Sequence, residues 1–571
     1  MLLFASCPLD GMEKRCNLLH PYFLVSNKST LYKTIEKLQL YIIMITDYYK
    51  KTKPTLIGTY AITVILIVLA MFLRFYKLGE WSFYPDEVAT QCEVQNLFDH
   101  SKHSQLPESV KAYPAYNPDP EKSQFYRLPR LIFVAHFVHW LDYRLFGNDE
   151  WGSRVLMAIM GSLSVGIAFF LGRSLFGFSG SLILSLLILL SPEHVYYSQF
   201  SRFYSQGFLL IEIIFLLGAY VAVKKSVAAA WALVPISILM VFSHSLSGLV
   251  WGMLLGGLLV DFFFSGQSDS NQSNIKTKEK LFLSKIPYKV VFILCITSIV
   301  LLLIFLFHIM PLAKSWNHYY MPGRASSVDT VLTFAATLGQ SYFLLCVPAW
   351  FFMLFHVRNI GWGYWLFCAS ACGLAIFLLP LKMVLLPWYA FLFEFPFFVI
   401  LALFIDRIGQ LLAQSFKRYG LYCGIVWCCF MVSLNIFALK NYYKDGERYN
   451  IRAACQYINQ NLQSGDLLLC NEFVDVIDIY IQEDGTPIML REKDMFKYLQ
   501  QVFNEIKRNN DKKSNHSRFW IIIGREKFFL LDKETRHWIN NYCQHEGSFG
   551  NFRYNTPKYL EVFLCSPGNG K

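Results

Sequence analysis

Charge is what this sequence has least of. Only 16% of its 571 residues are Asp, Glu, Lys or Arg, against about 25% in an average soluble domain. So few charges cannot clothe the apolar residues in a polar shell, which excludes an ordinary soluble enzyme and a disordered protein alike. Cysteine falls far short of a disulfide scaffold: 14 in 571 residues, with no CxxC pair, exclude a disulfide mini-scaffold and argue against a thiolate metal site. No internal repeat is evident, which weakens a transporter assembled from duplicated halves. What the chain does have is apolar surface, 54% hydrophobic and 17% aromatic residues, with a mean hydropathy of +0.35. Its solvent is a bilayer. The net charge of +12 would suit nucleic acid, but basic residues also collect on the cytoplasmic side of membrane proteins, so their placement decides.

Runs of about 20 apolar residues mark membrane helices. Eleven emerge, at 56–75, 153–171, 178–190, 207–223, 228–242, 246–264, 290–310, 333–355, 362–379, 386–405 and 421–439. A basic arm, residues 1–53, precedes them, and its segment 31–49 has the apolar spacing of an amphipathic surface helix. With that arm in the cytoplasm, Arg173, Lys224, Lys225, the basic linker 265–288, Arg358 and the stretch 407–418 all fall in cytoplasmic turns. A twelfth apolar stretch, 128–146, is interrupted by Arg130, His136, His139, Asp142 and Arg144. It reads as an amphipathic helix at the outer interface, because counting it as a span would put Lys224 and Lys225 on the wrong side.

The transmembrane part thus covers 54–440, with a first extracytoplasmic loop at 79–152. Residues 441–571 have ordinary globular composition and predict a small extracytoplasmic α/β or α+β domain. Strands are expected at 466–470 and 519–523, and helices at 448–461 and 495–506. In an oxidising compartment its Cys455, Cys470, Cys543 and Cys565 would allow one or two disulfides.

Two stretches carry candidate chemistry. The first, GEWSFYPDEVA from Gly79, places Asp86 and Glu87 just beyond the first span, beside Trp81, Phe83 and Tyr84. One reading is an aromatic belt followed by an acidic helix start after Pro85. The other is a carboxylate held near the bilayer to take a proton from a hydroxyl. The second, LSPEHVYYSQFSRFYS from Leu190, sets Arg202 among Tyr196, Tyr197, Phe203 and Tyr204. Those residues suit an interfacial anchor or a lipid-phosphate contact. Lys382 is a third cation, in a short loop ahead of Pro387, Trp388 and Tyr389.

Taken in order, these stretches, with RLPR at Arg127, LFGNDE at Leu145, Arg154 and GRSLFG at Gly172, resemble the N-terminal half of GT-C glycosyltransferases. The nearest groups are the protein O-mannosyltransferase-like family 39 and the bacterial lipid A aminoarabinose transferases. The resemblance is strongest over 79–225 and looser through Ile405.

It implies an α-helical polytopic enzyme that moves a sugar from a polyprenyl-phosphate donor to a hydroxyl of an envelope lipid, glycan or protein, inverting the anomeric centre. Asp86 matches the family's proposed catalytic base and Glu87 its neighbour. Arg127, Arg202 and Lys382 are implied donor-phosphate contacts, and the loop 311–332 offers Arg324, Tyr319 and Tyr320 above the site. Where many relatives carry an acid, this chain has Phe200 and Ser201. No metal ligand set is assigned, a divalent cation stays open as cofactor, and membrane lipid rather than nucleic acid is the expected partner. The expected home is a bacterial inner membrane with the site facing the periplasm, the endoplasmic reticulum lumen being the alternative. A lipid-linked-sugar carrier and an inactive envelope-assembly scaffold are the rival functions.

Overall fold

The computed structural model describes residues 56–98, 132–244, 250–254, 256–258, 288–304, 348–349, 351, 391, 394–415, 420–445, 449–464, 466–471, 474–481, 487–489, 495–510, 518–553 and 556–566. Its membrane part comprises α1 (Leu56–Phe75), α2 (Pro85–Phe98), α3 (Phe133–Phe146), α4 (Val155–Leu190), α5 (Pro192–Ser198), α6 (Tyr204–Lys224), α7 (Val227–Val241), α8 (Tyr288–Ile304), α9 (Glu394–Ser415) and α10 (Gly420–Asp445). Among the described residues five helices, α1, α4, α6, α9 and α10, are long and apolar enough to cross a membrane. The described residues therefore do not reach the expected eleven. Nearly all of 333–355, the whole of 362–379, most of 246–264, the arm helix at 31–49 and nearly all of the linker lie outside them.

Helix α4 is two helices joined at Gly177, whose φ of 76° and ψ of 179° leave the helical region. Glycine adopts that conformation without the penalty a Cβ would bring. The joint coincides with the gap between the apolar runs at 153–171 and 178–190. Farther up, Gly161 lets α4 lie against α5: a Cβ there would collide with Ser198. Small residues at such contacts are how apolar helices gain packing without a hydrophobic driving force.

Helix α3 is inside out by soluble standards. Its His136, His139 and Asp142 are buried, while Phe133, Phe137 and Leu145 are exposed. An apolar face turned outward suits contact with lipid, and the polar face is left to line the interior.

The C-terminal region alternates helices and strands: α11 (Ile451–Asn461), β1 (Leu467–Cys470), α12 (Val474–Tyr480), β2 (Pro487–Met489), α13 (Met495–Asn510), β3 (Phe519–Gly524), α14 (Arg525–Leu530), α15 (Lys533–Tyr542), β4 (Cys543–Arg553) and β5 (Thr556–Cys565). The strands form one sheet in the order β2-β1-β3-β5-β4. β1 runs parallel to β2 and β3, and β5 is antiparallel to β3 and β4. Every residue of β3 is buried, as expected for a strand covered on both faces. Trp520 and Ile522 pack into one apolar cluster with α11 and α12. Phe519, Ile521 and Ile523 pack into another with α13 and α15. Two residues from the far end of the sequence, Phe83 and Val88, belong to the first of these clusters. A disulfide joins Cys543 to Cys565, which are partners in the β4–β5 ladder. Cys455 and Cys470 are reduced and buried.

Candidate functional site

The adjacent carboxylates of α2 have different fates. Pro85 opens the helix, and Asp86 and Glu87 occupy its first turn, where the exposed N–H groups favour negative charge. Glu87 turns inward and is fully buried. Its two oxygens meet the Arg154 guanidinium at 2.8 Å (Nε to Oε1) and 2.9 Å (Nη2 to Oε2), a bidentate pair. The same oxygens accept the backbone N–H of Ser201 (2.7 Å) and of Tyr84 (2.9 Å). Arg154 spends its remaining donors on the carbonyls of Leu78, Trp81 and Ser82 at 3.0–3.2 Å. Asp86 is only half-buried. Its carboxylate makes no hydrogen bond or ion pair to another described residue.

One helical turn on, Thr90 Oγ1 donates to the Asp86 carbonyl at 3.0 Å and accepts from Arg202 Nη1 at 2.7 Å. Arg202 thus lies within a turn of Asp86. Its guanidinium also sits 4.9 Å from the Phe203 ring centroid and 3.9 Å from Glu93. The run that carries it is held from below. Ser191 caps α5 by accepting from the His194 N–H at 3.1 Å, and His194 Nδ1 lies 2.9 Å from Arg74 Nη2. Gln199 donates to the carbonyls of Arg74 and Tyr76 and accepts from the Tyr442 hydroxyl. Gln199 and His194 of this run thus fasten the loop to the end of α1, while Ser201 and Arg202 reach α2.

Helix α3 supplies a third wall. His136 Nδ1 lies 3.1 Å from the Ile132 carbonyl and its Nε2 2.9 Å from Glu93 Oε2. Both neighbours offer acceptor oxygens to the ring. His139 is fully buried with neither ring nitrogen partnered among the described residues. Burial pushes it down to about 3, helped by the charge of His136 and of Arg202. His244 is pushed down to about 3 by burial and then by Arg202. Both rings are neutral at physiological pH, so the cationic character here belongs to Arg202.

The structure brings Asp86, Glu87 and Arg202 into one place. Arg127, Lys382, Arg324, Tyr319 and Tyr320 lie outside the described residues. Sequence reading did not single out Arg154, Thr90 or Glu93 as site residues, and it took His136 and His139 for interruptions of an apolar run. The spacing of 136, 139, 142 and 143 along one helix face was the available signal. Among the described residues no group of three or more His, Cys, Asp or Glu is placed to hold a metal ion, so a divalent cation has no support there.

No protein-family model matches the chain, and no curated protein matches it in sequence. Solved structures do. The archaeal oligosaccharyltransferase AglB from Archaeoglobus fulgidus, in complex with an inhibitory peptide and a dolichol-phosphate, aligns over 90% of this chain and 76% of its own, at 11% identity and a TM-score of 0.51. ArnT from Cupriavidus metallidurans, bound to undecaprenyl phosphate, aligns over 89% of this chain and 98% of its own, at 13% identity and a TM-score of 0.48. At such identities the likeness is one of fold alone: this membrane chain shares the architecture of AglB.

Proposed function

We propose that this chain is a membrane glycosyltransferase that moves a sugar from a polyprenyl-phosphate donor to a hydroxyl of an envelope lipid, glycan or protein. One observation carries the reading. Of two neighbouring acids at the start of α2, Glu87 is consumed by Arg154, while Asp86 keeps its carboxylate unpaired among the described residues, a single turn from a guanidinium. A base beside a cation is what displacement at an anomeric carbon from a lipid phosphate requires. The leaving group departs as a stable anion, so it needs electrostatic support rather than a strong acid. The dolichol-phosphate held by AglB supports a polyprenyl-phosphate as the donor class.

In the proposed step Asp86 removes the proton of the acceptor hydroxyl as its oxygen attacks the anomeric carbon. The bond from that carbon to the phosphate oxygen breaks, and both electrons leave with the polyprenyl phosphate. One displacement inverts the configuration. Arg202 steadies the departing phosphate, and the resemblance adds Arg127 and Lys382 to that role and Arg324, Tyr319 and Tyr320 to the covering loop. The Cys543–Cys565 bond supports an oxidising compartment for the C-terminal region. That fits a periplasmic site at a bacterial inner membrane, or a lumenal one in the endoplasmic reticulum.

Reconstituted chain supplied with labelled polyprenyl-phosphate sugar tests this. Asp86→Asn should lower transfer by about 10²–10⁴-fold, the usual worth of a general base, while binding of the donor persists. Full transfer by Asp86→Asn overturns the base assignment. Absence of transfer by the unaltered chain with every donor offered overturns the enzyme in favour of a carrier or scaffold.

A further inference from the structure

The segment that carries Asp86 is held on one side by Arg154 at the start of α4 and on the other by the C-terminal region. Phe83, three residues before Asp86, and Val88, two after it, are buried at 4% and 3% exposure. Both lie in an apolar cluster with Ile451, Val476, Ile477 and Trp520. Polar bonds tie the same stretch to the same region. The Phe83 N–H donates to the Tyr480 hydroxyl at 2.9 Å, and that hydroxyl donates to Glu150 Oε1 at 2.6 Å. Glu150 also accepts from Arg452, which donates to the Gly79 carbonyl at 3.1 Å. The Arg452 backbone N–H donates to Ser82 Oγ at 3.0 Å. The Tyr480 hydroxyl thus links the Phe83 backbone, Glu150 of the first loop and α12. Burial, and next the bond to Glu150, hold its phenol above its ordinary range, so it stays a neutral hydroxyl able to donate and accept at once.

We propose that Tyr480 is a positioning residue for Asp86: with Ser82 and Arg452 it clamps residues 79–88 to the C-terminal sheet and thereby sets where the carboxylate stands. The functional half of this rests on Asp86 being the base. The C-terminal region then acts on transfer through the backbone that carries Asp86. A carboxylate on a first helical turn with no side-chain bond of its own takes its position from the backbone beneath it, and small misplacements of reacting groups are expensive.

Tyr480→Phe in the full-length chain tests the clamp. The ring still fills its place, but the Phe83 N–H loses its acceptor and Glu150 one donor. Hydrogen exchange over residues 82–90 should quicken while β3 and β5 keep their protection. The kcat for transfer should fall about 10- to 100-fold, with KM for the donor within twofold because Arg202 is untouched. Ser82→Ala removes the parallel bond from the Arg452 N–H without disturbing the apolar cluster. It should act in the same direction, and it serves should Tyr480→Phe not fold. Unchanged exchange over 82–90 in both variants overturns the clamp. Faster exchange with unchanged kcat, while Asp86→Asn abolishes transfer, upholds the contact and overturns Tyr480 as a positioning residue; unchanged kcat with full transfer by Asp86→Asn overturns the base reading instead.

Discussion

Asp86 and Glu87 differ by one methylene and one sequence position, yet burial separates their roles. Glu87 has four donors on two oxygens and no contact with solvent, which marks it as the keystone of the loop rather than a reagent. Removing one partner from a buried ion pair leaves an uncompensated charge and costs about 3–5 kcal/mol, whereas removing both is far milder. Arg154→Met is therefore expected to destabilise by about that amount in thermal unfolding. The double variant Arg154→Met/Glu87→Gln should recover a large part of the loss. Simple addition of the two single effects would show that the pair does not act as a unit. In the sequence only the family resemblance sets Asp86 before Glu87, because the residue that physically separates them, Arg154, is 67 positions from Glu87 and enters only through the fold.

At the scale of the element, α3 shows what patterning conveys and what it conceals. The interruption of an apolar run by His136, His139 and Asp142 is plain in the sequence and correctly predicts an amphipathic helix. Which face turns inward is not plain, since a bilayer reverses the usual rule by receiving the apolar side. The inward face has a pH signature. Burial pushes the Asp142 carboxyl up to about 7, opposed only by the bond from the Leu156 N–H, which measures 3.1 Å. The fold thus favours the neutral acid. Its contribution to stability is complete below about pH 4, the unfolded value, and is lost as pH rises through about 7. Asp142→Asn keeps an acceptor for Leu156 and is neutral throughout. Its melting temperature should be flatter than that of the unaltered chain between about pH 4 and 8, with the widest gap at the alkaline end. Parallel melting curves would remove Asp142 as the source of that dependence.

For the molecule as a whole, the run Phe519–Gly524 and the helix Met495–Asn510 were legible as strand and helix from local pattern. Strand β4, with CQHEGSFGNFR, was not, because its glycines and polar residues lack the alternation of a half-buried strand. It is held by its ladder to β5 and by the Cys543–Cys565 bond. That bond closes a loop of 22 residues, so its removal in Cys543→Ser/Cys565→Ser should cost about 2–4 kcal/mol. The loss would appear as earlier unfolding of the C-terminal sheet. In chain taken from cells and alkylated without reductant, Cys543 and Cys565 should stay unlabelled. Labelling of both would place this region in a reducing compartment. The attachment of Phe83 and Val88 to that sheet was likewise invisible in the sequence, since no local periodicity records a partner nearly 400 residues away.

That attachment also bears on timing. A ribosome adding 5–20 residues per second releases Phe83 and Val88 roughly half a minute to a minute and a half before β5 exists to receive them. Throughout that interval the Asp86 segment has its membrane helix but not its apolar seat, and the clamp at Tyr480 has yet to be synthesised. The newly inserted chain can therefore lie in the bilayer with Asp86 not yet seated. On the proposed function, competence for transfer would come only once β5 has been made.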